Sequence, residues 1–255
     1  MQARTDINRT YHCHTHWSDG SHSAAEMVEA AEQLGFSEIG FSDHLVLHPA
    51  HLDISWSMNP AHLDDCVREV REAADRASIT VKLGLEVDFF PDNPRQPELN
   101  ELLNRHPFDY LIGSVHMIDD FPLDSSATDW QRLTESEVDA VYIRYWQTLK
   151  QLAQTPGFDI IGHLDLPKKF GFYPRADIAA VEGLTLDTIA GSKKIVELNT
   201  AGWDKPCAEC YPSPRLLRLC RLRDIPIIIN DDAHAVDQIG RHYPQAKALL
   251  DSLPV

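Results

Sequence analysis

Short apolar runs alternate with longer amphipathic stretches along almost the whole chain. The short runs are bounded by polar or turn-forming residues and have the length of buried strands. They predict strands at Thr10–His14, Glu38–Phe41, Thr80–Val87, Tyr110–Val115, Asp159–Gly162, Lys194–Leu198 and Pro226–Asn230. The longer stretches predict helices near Ser23–Leu34, Pro60–Ala77, Pro97–Asn104, Glu135–Gln154, Asp177–Ala190 and Pro214–Arg223, with a last one over Pro244–Leu253. Ser23 with Glu26 reads as a capping box. Asn59–Pro60 and Ser213–Pro214 each set a cap before a proline at the first helical position. Strands that alternate with helices call for parallel pairing through crossover helices. The expected fold is an α/β barrel, closed or nearly so, with an open doubly wound sheet as the alternative.

Composition narrows this little and charge narrows it more. The 255 residues, 43% of them hydrophobic, suit a single domain spanning 1–255. No run of about 18 apolar residues occurs, so no membrane span is expected. The opening MQARTDINRT has no apolar stretch of the signal-peptide kind, and a cytoplasmic location is the default expectation. A net charge of -16 without any Lys/Arg-rich run argues against a nucleic-acid partner. The five cysteines, Cys13, Cys66, Cys207, Cys210 and Cys220, read as reduced thiols. Cys207 and Cys210 form a lone CxxC with no second ligand pair beside it.

The residues at the end of each apolar run carry the chemistry. The seven predicted strands end in HCHTHWSDG (His12, His14, Asp19), FSDHL (Asp43, His44), LGLEVDF (Glu86), IGSVHMID (His116), IIGHLDL (His163, Asp165), VELNTAG (Glu197, Asn199) and IIINDDAH (Asp232, His234). In a barrel those ends converge on one face. Residues two apart on a strand point the same way, so His12 and His14 can reach one metal ion. Asp232 and His234 could serve neighbouring ions, and a carboxylate such as Glu86 can bridge two. Imidazoles mixed with carboxylates suit zinc, manganese or iron. One histidine alone is better read as a structural hydrogen-bonding residue. The recurrence of this pattern at strand end after strand end is not.

In this order and spacing the motifs resemble the PHP (polymerase and histidinol phosphatase) superfamily. GSVHMID, GHLDLPKKF and ELNTAG followed by YPS resemble its histidinol-phosphatase branch. The resemblance implies a distorted seven-stranded (β/α) barrel, TIM-barrel-like, with three divalent ions. Carried over, His12, His14, Glu86 and Asp232 would hold the first ion. Glu86, His116 and His163 would hold the second, and Asp19, His44 and His234 the third. His16 and His22 lie close enough to stand in for Asp19. Glu86, Asp232 and His234 are the expected catalytic residues. The activity implied is hydrolysis of a small phosphate ester such as L-histidinol phosphate, with metal ions activating water and offsetting phosphoryl charge.

Basic residues on the same face would bind phosphate: Lys168, Lys169 and Lys205, with Arg175 and Arg241 as weaker candidates. Asp43, Asp165, Glu197 and Asn199 are expected to orient ligands from behind. Cys13, between His12 and His14, is expected to pack in the core. The long connections Leu45–Asn59 and Ile118–Thr134 are expected to cover the pocket. His48, His51, Trp56 and Trp130 in them are candidates for shaping it or for plain packing. Three other readings compete. An amidohydrolase also begins with HxH but commonly uses a bridging lysine where this chain offers Glu86. A nuclease of the polymerase-associated kind conflicts with the charge. A non-catalytic metal-binding module would show gaps in the ligand set.

Overall fold

In the computed structural model, which describes residues 7–253, seven strands form a parallel sheet in chain order. They are β1 (Arg9–Thr10), β2 (Glu38–Phe41), β3 (Thr80–Asp88), β4 (Tyr110–Ser114), β5 (Ile160–Ile161), β6 (Ile195–Asn199) and β7 (Ile227–Asn230). Each pairs in parallel with the next. The helices are α1 (Ala24–Gln33), α2 (Leu63–Arg76), α3 (Gln96–Leu103), α4 (Ala127–Gln131), α5 (Glu135–Gln154), α6 (Ala179–Ser192), α7 (Pro214–Arg221) and α8 (Tyr243–Ser252). The fold is a nearly closed, distorted α/β barrel, and the open-sheet alternative is set aside.

Closure comes from the segment after β1. The first strand is shorter than expected, two residues instead of five, because it changes partner midway. Tyr11 N–H turns to Asn230 Oδ1 (2.9 Å), and the Thr10 hydroxyl donates to Asp231 (2.8 Å). Beyond that point Cys13 bridges Ala233, with His14 N–H donating to Ala233 O (2.8 Å) and Ala233 N–H to His12 O (3.0 Å). One stretch thus joins both edges of the sheet, and His12 and His14 sit on the seam. After β2, the chain bulges at Ser42 and Asp43, both of whose carbonyls accept from Glu86 N–H at 3.2 Å. It then pairs with β3 again, setting His44 opposite Glu86.

The floor of the barrel depends on two glycines. Gly40 on β2 and Gly84 on β3 flank the Tyr110 ring, and a Cβ at either would overlap it. Tyr110 Oη donates to the carbonyls of Tyr11 (2.7 Å) and Phe41 (3.0 Å), so a polar tip is buried without being left unpaired. One hydrophobic cluster runs from Cys13 to Leu250 and lies between the sheet and its helices.

Helix ends obey the caps. Ser23 and Glu26 form the expected reciprocal box. Asn59 caps Ala61 N–H, but the first turn, Pro60–His62, is a 3-10 turn, so α2 proper begins at Leu63. Helix α6 starts two residues later than expected, after Asp177 accepts from Ala179 N–H, and runs to Ser192, where Lys193 takes a left-handed conformation. Unforeseen elements are all short: α4, a hairpin of Met117–Ile118 with Phe121–Pro122, and 3-10 segments such as Leu166–Phe170 and Thr200–Asp204. Five residues or fewer carry no readable period. The leader-free reading of the first residues falls on 1–6, outside those described. No helix among the described residues is long and apolar enough to cross a membrane.

Candidate metal centre

The carboxyl ends of the strands bring together every histidine, aspartate and glutamate that the sequence nominates as a ligand. His12 and His14 come from the seam, Asp19 from the loop after it, and His44 from the bulged strand. Glu86 is on β3, His116 comes after β4, His163 after β5, and Asp232 and His234 after β7. Three groups have ligand atoms within 4.8 Å of one another: His12, His14 and Asp232; His44, Glu86 and His116; and His14, Asp19, His44 and His234. His163 belongs to none of the three groups but lies beside the middle one, with Nε2 2.9 Å from Glu86 Oε1.

Glu86 stands where the groups meet, and its two oxygens face different histidines. Oε2 lies 3.1 Å from His12 Nε2, 3.6 Å from His14 Nε2 and 2.9 Å from His44 Nδ1. Oε1 lies near His163 and 3.7 Å from His116 Nε2, and it accepts from the Ser114 hydroxyl. Gly162 makes this approach possible, since a Cβ there would overlap Ser114 Oγ. His14 is sandwiched between the rings of His44 and His234, each 4.2 Å away.

The donor set fits divalent ions. His12 Nε2, His14 Nδ1 and Nε2, His44 Nδ1 and Glu86 Oε2 are buried and have no hydrogen-bond partner. Each such orphan costs about 1–3 kcal/mol unless something binds it. Burial together with neighbouring His234 and His44 pushes the His14 imidazole down to about 3, which leaves it a neutral lone-pair donor. Burial alone would raise Glu86 and Asp232. The surrounding imidazoles, His12 foremost, outweigh it and hold both carboxyls well below their usual range. Imidazole and carboxylate together form a mixed N/O site for a borderline cation.

A second layer fixes these ligands. His12 Nδ1 donates to Glu197 (2.8 Å), which also accepts from His163 N–H (2.6 Å) and Asn230 (2.9 Å). Asn199 donates to Glu197 and to Asp232, both at 3.0 Å. Asp43 does not touch a ligand. It accepts from Thr15 N–H and the Ser18 hydroxyl, both at 2.7 Å, and so shapes the loop that carries Asp19. Sequence reasoning misses one contributor and the main role of another. Asp88 accepts from His116 Nδ1 at 2.5 Å. It lies two residues beyond Glu86 on the same strand, and that spacing is the available signal. Arg241 donates to the carbonyls of Asp231 (2.8 Å) and Asp232 (2.8 Å). It thereby holds the turn in which Asp232 takes a φ of 51°, a region an L-residue seldom adopts.

The basic candidates divide. Lys169, Lys205 and Arg241 line a cavity of about 380 Å³ over the cluster. Lys168 corrects the expectation. It is buried on the other side of its loop, paired with Asp165 (3.0 Å) and Glu209 (2.8 Å) and donating to Cys210 O (2.7 Å). Asp165 is likewise committed to Lys168 and to Ser213 N–H (3.0 Å), not to a ligand histidine. Arg175 is exposed and pairs with Glu135. Trp56 does line the cavity, against His44 and His116. His48 lines a different cavity with Phe90, His51 is exposed, and Trp130 is wholly buried in the core. His16 is exposed beside Glu69, and neither His16 nor His22 joins a ligand group. Cys13 is buried in the core cluster. Cys207 and Cys210 are free thiols, and no ligand group among the described residues contains a cysteine.

Fold and centre together define a metal-binding α/β-barrel protein. The PHP domain model matches residues 10–201, and the chain belongs to the PHP family. A Deinococcus radiodurans protein described as a probable histidinol-phosphatase is 34% identical over 225 residues, covering 87% of this chain and 84% of that one. A solved Listeria monocytogenes structure shares the fold, with a TM-score of 0.79 over 93% of this chain and 99% of its own, at 23% identity. A Lactococcus lactis histidinol phosphate phosphatase, solved with zinc, L-histidinol and phosphate, gives a TM-score of 0.76 over 97% and 95%, also at 23% identity.

Proposed function

We propose that this protein is a metal-dependent phosphomonoesterase that hydrolyses L-histidinol phosphate to L-histidinol and inorganic phosphate. The observation that carries the reading is Glu86, a buried carboxylate whose two oxygens face two sets of histidines, so that it would offer an oxygen to each of two ions. The substrate assignment draws on the Deinococcus and Lactococcus relatives. Three overlapping ligand groups, which share His14 and His44, support a count of three ions. Zinc is the first choice because the Lactococcus structure holds it, while manganese and iron accept the same ligands.

When bound, divalent ions supply Lewis acidity, acidifying water and drawing charge from the phosphoryl group. The chain's own residues do the rest. Glu86, Asp232 and His234 face the cavity and are the catalytic candidates. Glu197, Asp88 and Asn199 hold His12, His116 and Asp232 in place by hydrogen bonds. Lys205 lines the cavity half-buried, and its ammonium has no partner among the described residues. It is free to take a phosphate oxygen, whereas Lys169 is tied to Asp124. A net charge of -16 without a Lys/Arg-rich run favours a small ester over nucleic acid. Five free thiols accord with a reducing, cytoplasmic setting.

The test is steady-state phosphate release from L-histidinol phosphate with zinc or manganese supplied, beside a His116→Asn variant. Saturable turnover that falls about a hundred- to a thousandfold in the variant is expected, the size of effect seen when a main electrostatic group is removed. Metal-loaded protein that leaves this ester intact but cleaves another phosphomonoester would overturn the substrate and keep the reaction class.

A further inference from the structure

Asp124 stands on the cavity wall between the Phe121–Pro122 strand and α4. Among the described residues it is the one carboxylate lining the cavity that belongs to no ligand group. Its side chain is 27% exposed, so the cavity reaches it. Oδ2 accepts from Lys169 Nζ at 3.1 Å, and the same ammonium donates to the Asp124 carbonyl at 2.8 Å. Oδ1 has no hydrogen-bond partner among the described residues. Asp124 is also close enough to His116, His163 and Lys205 for its charge to act on each.

A pocket for a bare phosphate ester has no use for this group, because an open carboxylate repels the phosphate. Its presence makes sense if the substrate brings a cation. L-histidinol phosphate does so, with an ammonium on the carbon next to the ester methylene. A phosphate held by the metal centre and Lys205 would therefore set that ammonium down close to the cluster, at the edge where Asp124 lies. We propose that Asp124 is a specificity-determining residue that accepts a hydrogen bond from the substrate's ammonium through Oδ1. The pocket then selects phosphate esters of 2-amino alcohols. Lys169 holds the carboxylate in position and does not bind the phosphate. The proposal rests on the histidinol-phosphate reading.

The experiment compares L-histidinol phosphate with its deamino analogue, 3-(imidazol-4-yl)propyl phosphate, in the zinc-loaded wild type and in Asp124→Asn. The readout is the ratio of kcat/KM for the two esters, from which the fraction of correctly folded enzyme cancels. The wild type should favour the amine-bearing ester by about 10- to 100-fold, the range of one charge-assisted hydrogen bond. Asp124→Asn, which keeps an oxygen acceptor but loses the charge, should lower the ratio to within about several-fold of one while keeping turnover of the analogue. Asp124→Ser should do the same, and it serves if the asparagine variant does not fold. An equal fall for both esters would show that Asp124 only anchors Lys169 and would overturn the proposal. So would a wild type that does not discriminate. A wild type that cleaves neither ester would instead remove the histidinol-phosphate reading on which the proposal stands.

Discussion

A carboxylate buried away from water is stable only when something answers its charge on both oxygens. At Glu86 the Ser114 hydroxyl and His163 answer Oε1, while Oε2 faces three imidazoles with no hydrogen bond and so calls for a cation, and its place near the carboxyl end of β3 keeps it from turning away. The same logic applies one step out. His116 Nδ1 donates to Asp88, which turns Nε2 toward Glu86. Replacing Asp88 by Asn leaves the size and removes the charge. We expect metal affinity at the His116 group to fall by about 10- to 100-fold, as is usual when a partner behind a ligand histidine is lost. Competitive titration of the apo protein with a chromogenic zinc chelator checks this, and an affinity equal to wild type would refute the role given to Asp88. Asp88 escapes a reading of the sequence because its neighbour Glu86 already accounts for that strand end. The ligands themselves are legible because each lies at the end of its own apolar run.

Direction at the level of an element explains where sequence and structure part. Lys168 and Lys169 are adjacent, and both are expected to meet phosphate. The 3-10 segment Leu166–Phe170 turns about 120° per residue, so neighbours on it face different ways. Lys169 reaches the cavity, and Lys168 enters the protein between Asp165 and Glu209. No periodicity reveals a five-residue turn, so the sequence alone does not separate the two lysines. The consequence is testable. Lys168→Met should lower stability by about 3–5 kcal/mol, the cost of leaving a buried partner charge alone, with KM for the ester changed less than about twofold. Urea unfolding and steady-state kinetics on the same preparation decide it. A large rise in KM at unchanged stability would restore the phosphate-binding role. Strand β1 shows the same limit. Its apolar run reads as one strand, but the residues that matter for chemistry lie where it leaves β2 and joins β7.

At the scale of the whole molecule, chain order fixes the architecture because each strand pairs with its successor. Alternation predicts parallel strands and leaves a barrel and an open sheet as alternatives, and the pairing of each strand with its successor is what gathers the strand ends on one face. It does not predict which loop residues line the cavity. Trp56 does and His48 does not, and the difference depends on how the long connections pack. The cluster of buried, unpartnered ligand atoms also means that fold and metal are coupled, since an ion that binds only the folded chain stabilises it. The central claim is that this chain needs its ions to hydrolyse L-histidinol phosphate. The most direct measurement adds zinc stepwise to chelator-treated protein and monitors phosphate release from that ester. The account predicts no release from the metal-free protein and a rise to a plateau at three equivalents per chain. Release that persists undiminished in the metal-free protein would contradict it.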